Sequence, residues 1–161
     1  MNDVIEHVPD TDQLLREIIR VVRADGRVII ASPNLLSPLK PIRHLLGTEG
    51  FNTKFYGSGL NAFGAIFSNF YLIVSKLLAG QPKFTYRTPL LGDDFQCPDD
   101  DAVYMANIVD LKKWFQSKGF TAAYFQFLPQ QDCVSDRLKS RILDWLPWLD
   151  KGFCLVAQRI E

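Results

Sequence analysis

The chain has no surplus charge of either sign. Its eighteen basic and eighteen acidic residues cancel. Nucleic acid is therefore not expected as a partner, because phosphate binding needs a concentrated positive surface. Cysteine is scarce. Cys97, Cys133 and Cys154 are odd in number, far apart, and form no Cys-x-x-Cys pair. That spacing suggests neither a structural zinc site nor a disulfide framework, and free thiols in a reducing cytoplasm are the expectation. The first residues are acidic and polar, unlike a secretory signal. No internal repeat, low-complexity stretch, Ser-His-Asp order, phosphate loop or paired-carboxylate pattern occurs. The aspartates between Gly92 and Asp101 lack EF-hand spacing, which leaves a solvated acidic loop as the expectation there.

What is present reads as one globular domain, 1–161, since 47% of the residues are hydrophobic. A first helix is expected from Asp10, whose spacing to Gln13 suits a capping box. Leu14, Leu15, Ile18, Ile19, Val21 and Val22 form its apolar stripe. Asp25-Gly26 stops it, with Gly26 expected to supply a left-handed turn. Val28-Ile29-Ile30-Ala31 is an apolar run without alternation, the pattern of a parallel strand covered on both faces. Such a strand needs neighbours, and none is apparent ahead of it. It is expected to be central, with one exposed edge that invites self-association. Ser37-Pro38 starts a short helix that runs to about Leu46 and Gly47.

Leu60 to Ala79 holds enough apolar residues to span a bilayer by length. Asn61, Ser68, Asn69, Ser75 and Lys76 interrupt it, so a buried or interfacial lid helix is expected instead. Lys83 to Pro89 reads as an extended connector. Asn107 and Asp110 mark another capping box, followed by Leu111, Trp114 and Phe115 and closed by Gly119. Phe120 to Leu128 reads as a strand, Ser135 to Trp145 as a helix, and Phe153 to Ile160 as a final strand.

The run Asn2-Asp3-Val4-Ile5-Glu6-His7-Val8-Pro9-Asp10, continued by Leu14-Leu15-Arg16-Glu17-Ile18 and by Gly26-Arg27-Val28-Ile29-Ile30-Ala31-Ser32-Pro33-Asn34, closely resembles the second half of class I S-adenosylmethionine (SAM) dependent methyltransferases. The segment from Asn107 to Ile160 is similar to the end of that fold, where the last strand inserts antiparallel between the fifth and sixth. The resemblance implies an α/β fold: a partial Rossmann-like sheet of strands five to seven, with a helical insert or lid over 35–106. It implies methyl transfer to a small, lipophilic acceptor, with SAM as cofactor. The glycine-rich SAM loop and the ribose-binding acid have no counterpart, so a truncated or mis-started product, inactive alone, is the expectation. The alternatives are a non-catalytic subunit that completes its sheet with a partner, and a membrane-surface protein using Leu60 to Ala79.

Ligands in open α/β sheets bind at the carboxyl ends of strands. The resemblance therefore places Asn2 and Asp3 at the cofactor, and Pro33 and Asn34 at the acceptor. Asn34 serves equally as a cap of the next turn. His7 is either the catalytic base or a structural residue bonding the backbone, since no orienting partner lies near it in sequence. Asp3, Glu6 and His7 also resemble an acid-x-x-Glu-His arrangement that holds a divalent ion in some relatives of that class. Asp stands in place of the usual Glu, Glu6 serves equally as a helix-start acid, and metal is not the expected cofactor. His44 is expected at the surface. Tyr56, Tyr71, Tyr86 and Tyr104 either line an acceptor pocket or belong to the core. The expected location is cytoplasmic, with peripheral membrane contact through the lid helix.

Overall fold

The computed structural model describes residues 1–46, 56, 58–89, 100–126 and 146–160. Helix α1, Thr11–Val21, begins where the Asp10–Gln13 spacing put it: the Asp10 carboxylate accepts from the Gln13 backbone N–H at 2.9 Å. Leu15 is buried, and Leu14, Ile18, Ile19 and Val22 pack against the core, while Val21 turns out to solvent. Gly26 does not take the expected left-handed turn, since Gly119 is the described glycine with positive φ. Its reason is space. A Cβ there would lie 2.8 Å from Val22 Cγ2 and 3.0 Å from the Arg23 carbonyl oxygen.

Three strands follow: β1 Arg27–Pro33, β2 Phe120–Gln126 and β3 Gly152–Arg159. Their order is β1-β3-β2, and β3 is antiparallel to both neighbours. The last strand thus takes the middle place, as expected, and β1 and β2 run parallel to each other. The expectation that β1 is central is corrected, because β3 holds that position. Beyond β1 the backbone of Met1–Asp3 runs parallel to it. The Met1 amino group donates to Ile29 O (2.9 Å), Ala31 N to Met1 O (2.9 Å), and Asp3 N to Ala31 O (3.0 Å). Asp3 then turns the chain away at φ 48°, a conformation that Asp tolerates better than most residues.

Paired residues across a sheet share a face. Val28, Ile30, Phe153, Leu155, Ala157 and Phe120 share the face that joins the core with Leu15, Leu111, Trp114 and Phe115. On the other face Ile29 and Phe125 are 53% and 54% exposed. Cover on both faces was expected from the unbroken apolar run, but β1 is open on its second face at Ile29, although Ala31 on that face is buried. Its neighbours α1 and α4 contribute to one and the same core cluster, so the opposite face gains nothing from them.

Helix α2 spans Leu39–Leu45, and α3 spans Gly59–Leu78, capped by Ser58 Oγ accepting from Asn61 N at 3.2 Å. Helix α4, Ile108–Ser117, is capped by Asn107 Oδ1 accepting from Asp110 N at 2.9 Å, and it ends at Gly119 with φ 77°. Helix α3 packs against α2 and α4. Two of its polar residues, Asn69 and Lys76, face inward, while Asn61 and Ser68 are exposed. Asn69 Nδ2 donates to Ser37 O at 3.4 Å, and Lys76 Nζ lies 2.6 Å from Asp110 Oδ2, both side chains 1% exposed. Lys113 closes the far end of α3 by donating to the carbonyls of Lys76, Leu77 and Ala79. The architecture is mixed helix and sheet, compatible with α/β. The expected helix 135–145, Cys97, Cys133, Gly47 and most of the acidic stretch lie outside the described residues.

Candidate functional site

The carboxyl ends of β1 and β2 point to one edge of the sheet, where β3 begins, because Pro33 pairs with Gly152 and Gln126 with Phe153. Two polar clusters meet this edge. The first grows from a single turn of 3-10 helix, Ile5–His7. Ile5 anchors the turn in the core, and its next two residues are thereby fixed. The Glu6 carbonyl accepts from Val103 N (2.8 Å) and Tyr104 N (2.9 Å), tying the turn to the return of the insert. That return is held in place by a second extended stretch, since Arg87 N donates to Val103 O and Met105 N to Thr85 O, each at 2.8 Å.

Within this cluster the Glu6 side chain is buried, and the Ser32 hydroxyl near the end of β1 donates to its Oε2 at 2.9 Å. Burial raises the Glu6 pKa above the ordinary carboxylate value, against the lowering effect of its hydrogen bonds and of His7. His7 is half-buried. Its Nδ1 lies 3.0 Å from Asp101 Oδ1, and its Nε2 lies 3.8 Å from Glu6 Oε1. The Nδ1 approach is close but is not aligned as a hydrogen bond. Asp101 is the partner that spacing did not reveal. The acidic stretch was expected to be solvated, yet Asp100 is buried and Asp101 turns in toward His7. No local pattern marks Asp101 apart from the aspartates before it, and only the fold of the insert brings it to the turn.

The second cluster is built on Asn34, directly after β1. Asn34 is buried. Its Nδ2 donates to Trp148 O (3.0 Å) and Asp150 O (2.9 Å), and its backbone N–H to Lys151 O (2.8 Å). Ser37 Oγ donates to Leu149 O at 2.8 Å, and Tyr124 OH to Asp150 Oδ2 at 2.8 Å. Asn34 therefore fastens the end of β1 to the turn before β3, and its Oδ1 alone is left without a partner. Pro33 beside it is half-buried. Phe70 of α3 reaches the same edge, in edge-to-face contact with Trp148 at 6.4 Å between centroids.

The remaining expected residues do not converge. Asn2 and Asp3 are exposed beside β1, in backbone pairing with it. The Asp3, Glu6 and His7 metal arrangement is not formed: among the described residues no group of three His, Cys, Asp or Glu side chains is placed to hold an ion. The reason is local, because Glu6 turns inward to Ser32 while Asp3 stays at the surface. Tyr104 is buried against Phe84 and Tyr86, Tyr71 is exposed on α3, and Tyr56 meets His44 edge to face.

The chemistry open to this edge is proton transfer. An imidazole backed by a carboxylate at Nδ1 favours the tautomer with its lone pair on Nε2, which then accepts a proton from a bound hydroxyl or amine. Comparison with protein families, with curated proteins and with solved structures gives no match to this chain.

Proposed function

We propose that this chain carries the acceptor side of a cytoplasmic, class I SAM-dependent methyltransferase with a Rossmann-like sheet. The observation that carries the reading is the sheet itself. A last strand lies antiparallel between two mutually parallel strands, and Met1–Asp3 runs parallel on the far side of β1. That order and direction agree with the resemblance in the sequence of its loop, helix and strand. The acceptor is a small, lipophilic molecule with an ionisable oxygen or nitrogen.

His7 acts as the base, taking the acceptor proton at Nε2. Asp101 is a positioning residue that stabilises the imidazolium so formed. When bound, SAM supplies an electrophilic methyl group. The described residues fit it only in part. Asn2 and Asp3 offer two exposed polar side chains, and no buried, unpartnered polar atom lies at either. On their own they do not hold the cofactor.

A second reading is a non-catalytic subunit that completes its sheet with another chain. The bare apolar face at Ile29 and Phe125 favours it. One measurement tests the proposal. Calorimetric titration of this chain with SAM and with S-adenosylhomocysteine is expected to show no binding. A micromolar Kd, roughly −8 kcal/mol, would mean a complete site and overturn the half-site reading.

A further inference from the structure

Helix α3 is amphipathic in the reverse sense. Its central polar side chains, Asn69 and Lys76, are inside, bonded to Ser37 and Asp110. Apart from Asn61 and Ser68, its outward side chains are apolar: Leu60 is 85% exposed, Phe67 64% and Leu78 82%, with Phe63, Phe70 and Tyr71 also exposed between them. The spacing of these positions follows the helical repeat, so they form one face along about 30 Å of helix. A soluble monomer does not normally leave so long an apolar stripe in water. Among the described residues, α3 is the helix long and apolar enough to cross a bilayer by length and composition.

The segment that carries this helix is one-sided in charge along the sequence: between Leu35 and Gly92 it holds Lys40, Arg43, Lys54, Lys76, Lys83 and Arg87 against a single acid, Glu49, although the whole chain is neutral. Lys40 and Lys76 are buried and add nothing to a surface, which leaves the half-buried Arg43 and Arg87 and the exposed Lys83 among the described residues. A surface that pairs an apolar face with an excess of cations complements an anionic lipid surface. Spanning is a different matter. To cross the bilayer α3 would leave α2 and α4, break the buried Lys76–Asp110 pair and expose both charges to hydrocarbon. The backbone at its far end is already satisfied by Lys113, so lying at an interface costs it no hydrogen bond.

We propose that α3 is a membrane-docking helix that lies in the plane of an anionic bilayer surface, its Leu60–Leu78 face in the headgroup–acyl boundary and its Asn69–Lys76 face on the protein. This does not depend on methyl transfer. A lipid surface as partner also agrees with the absence of any acid in α3.

The test is co-sedimentation of the full chain with vesicles of phosphatidylcholine, with and without phosphatidylglycerol. Binding is expected to the phosphatidylglycerol vesicles, at least tenfold weaker without the anionic lipid, and weakened by salt. The double variant Phe63→Ser with Phe67→Ser should lose binding at least tenfold with its urea midpoint unchanged. Should that variant misfold, Leu60→Ser with Leu78→Ser, at the two helix ends, takes its place. Ile29→Ser, on the bare sheet face, should bind as the parent does. No binding to anionic vesicles overturns the proposal, as does undiminished binding of the folded helix variants. Binding that survives carbonate washing would mean a spanning helix. A dimer dissolved by the helix substitutions, without vesicle binding, would make a second copy the occupant. Either result refutes in-plane docking.

Discussion

Replacing Lys76 by Met should cost this protein a large part of its stability, and replacing Asp110 as well should not cost more. Lys76 Nζ and Asp110 Oδ2 are 2.6 Å apart, and both side chains are 1% exposed. Burial lowers the Lys76 pKa, and the attraction of Asp110 opposes that shift. Asp110 also accepts from Asn107 Nδ2 (2.9 Å) and from Lys83 N (3.1 Å). In Lys76→Met those two bonds remain, but the carboxylate loses its cation. Removing one partner of a buried pair costs about 3–5 kcal/mol. The two surviving bonds place this case near about 3 kcal/mol, the low end of that range.

Asp110→Asn leaves Lys76 Nζ with the Lys83 carbonyl as its acceptor. Its cost is similar, about 3 kcal/mol, since the buried ammonium is then unpaired. The double variant removes both charges and keeps the shape, so its cost should not exceed that of either single change. The coupling energy is then about 3 kcal/mol, the signature of residues in direct contact. Each single variant should melt roughly 6–12 °C lower, at about 2–4 °C per kcal/mol for a chain of this size. Urea unfolding of the parent and three variants, at one pH and with linear extrapolation, gives the cycle. Single effects that add to within about 0.5 kcal/mol would refute the reasoning. Helix α3 would then not be pinned to α4 by this pair.

Two further outcomes follow from other sites. Glu6 is buried with its pKa raised, so its protonated form contributes stability that is present below the unfolded value and is lost as pH rises through the folded one. Glu6→Gln should therefore melt above the parent at pH 7, with the gain vanishing below about pH 4; an equal or lower melting temperature at pH 7 contradicts the burial of a charge there. Gly119 sits at φ 77° with nothing within 4 Å of an added Cβ, so Gly119→Ala should destabilise by about 1 kcal/mol through backbone conformation alone, and a neutral result in urea would mean that the turn between α4 and β2 relaxes freely.

The local parts of this fold were legible in the sequence. Asp10 and Asn107 announce α1 and α4 because a cap needs only its own next three residues. The final strand was legible for the same reason, as a short apolar run after a turn. The long-range pairs were not. His7 meets Asp101 across the whole insert, and Lys76 meets Asp110 at 34 residues' separation. Neither has a periodicity to announce it. Lys76 read as a polar interruption of an apolar helix, when its burial with a counter-charge is what holds that helix to the body. The pattern of β1 was read correctly as apolar on both sides, but a sequence pattern states what a strand can bury, not what is there to bury it.

The Met1 amino group donates to Ile29 O in step with the parallel pairing of Met1–Asp3 along β1. That contact has a practical side for anyone handling the protein. A purification tag fused ahead of Met1 would not trail freely. Its last residues would meet an edge already in register, and would be drawn along Val28 and Arg27 as an added strand. Such a tag would resist cleavage near the junction and mask the sheet edge in any association assay. A tag placed after β3 has no such template beside Met1, and is the better handle.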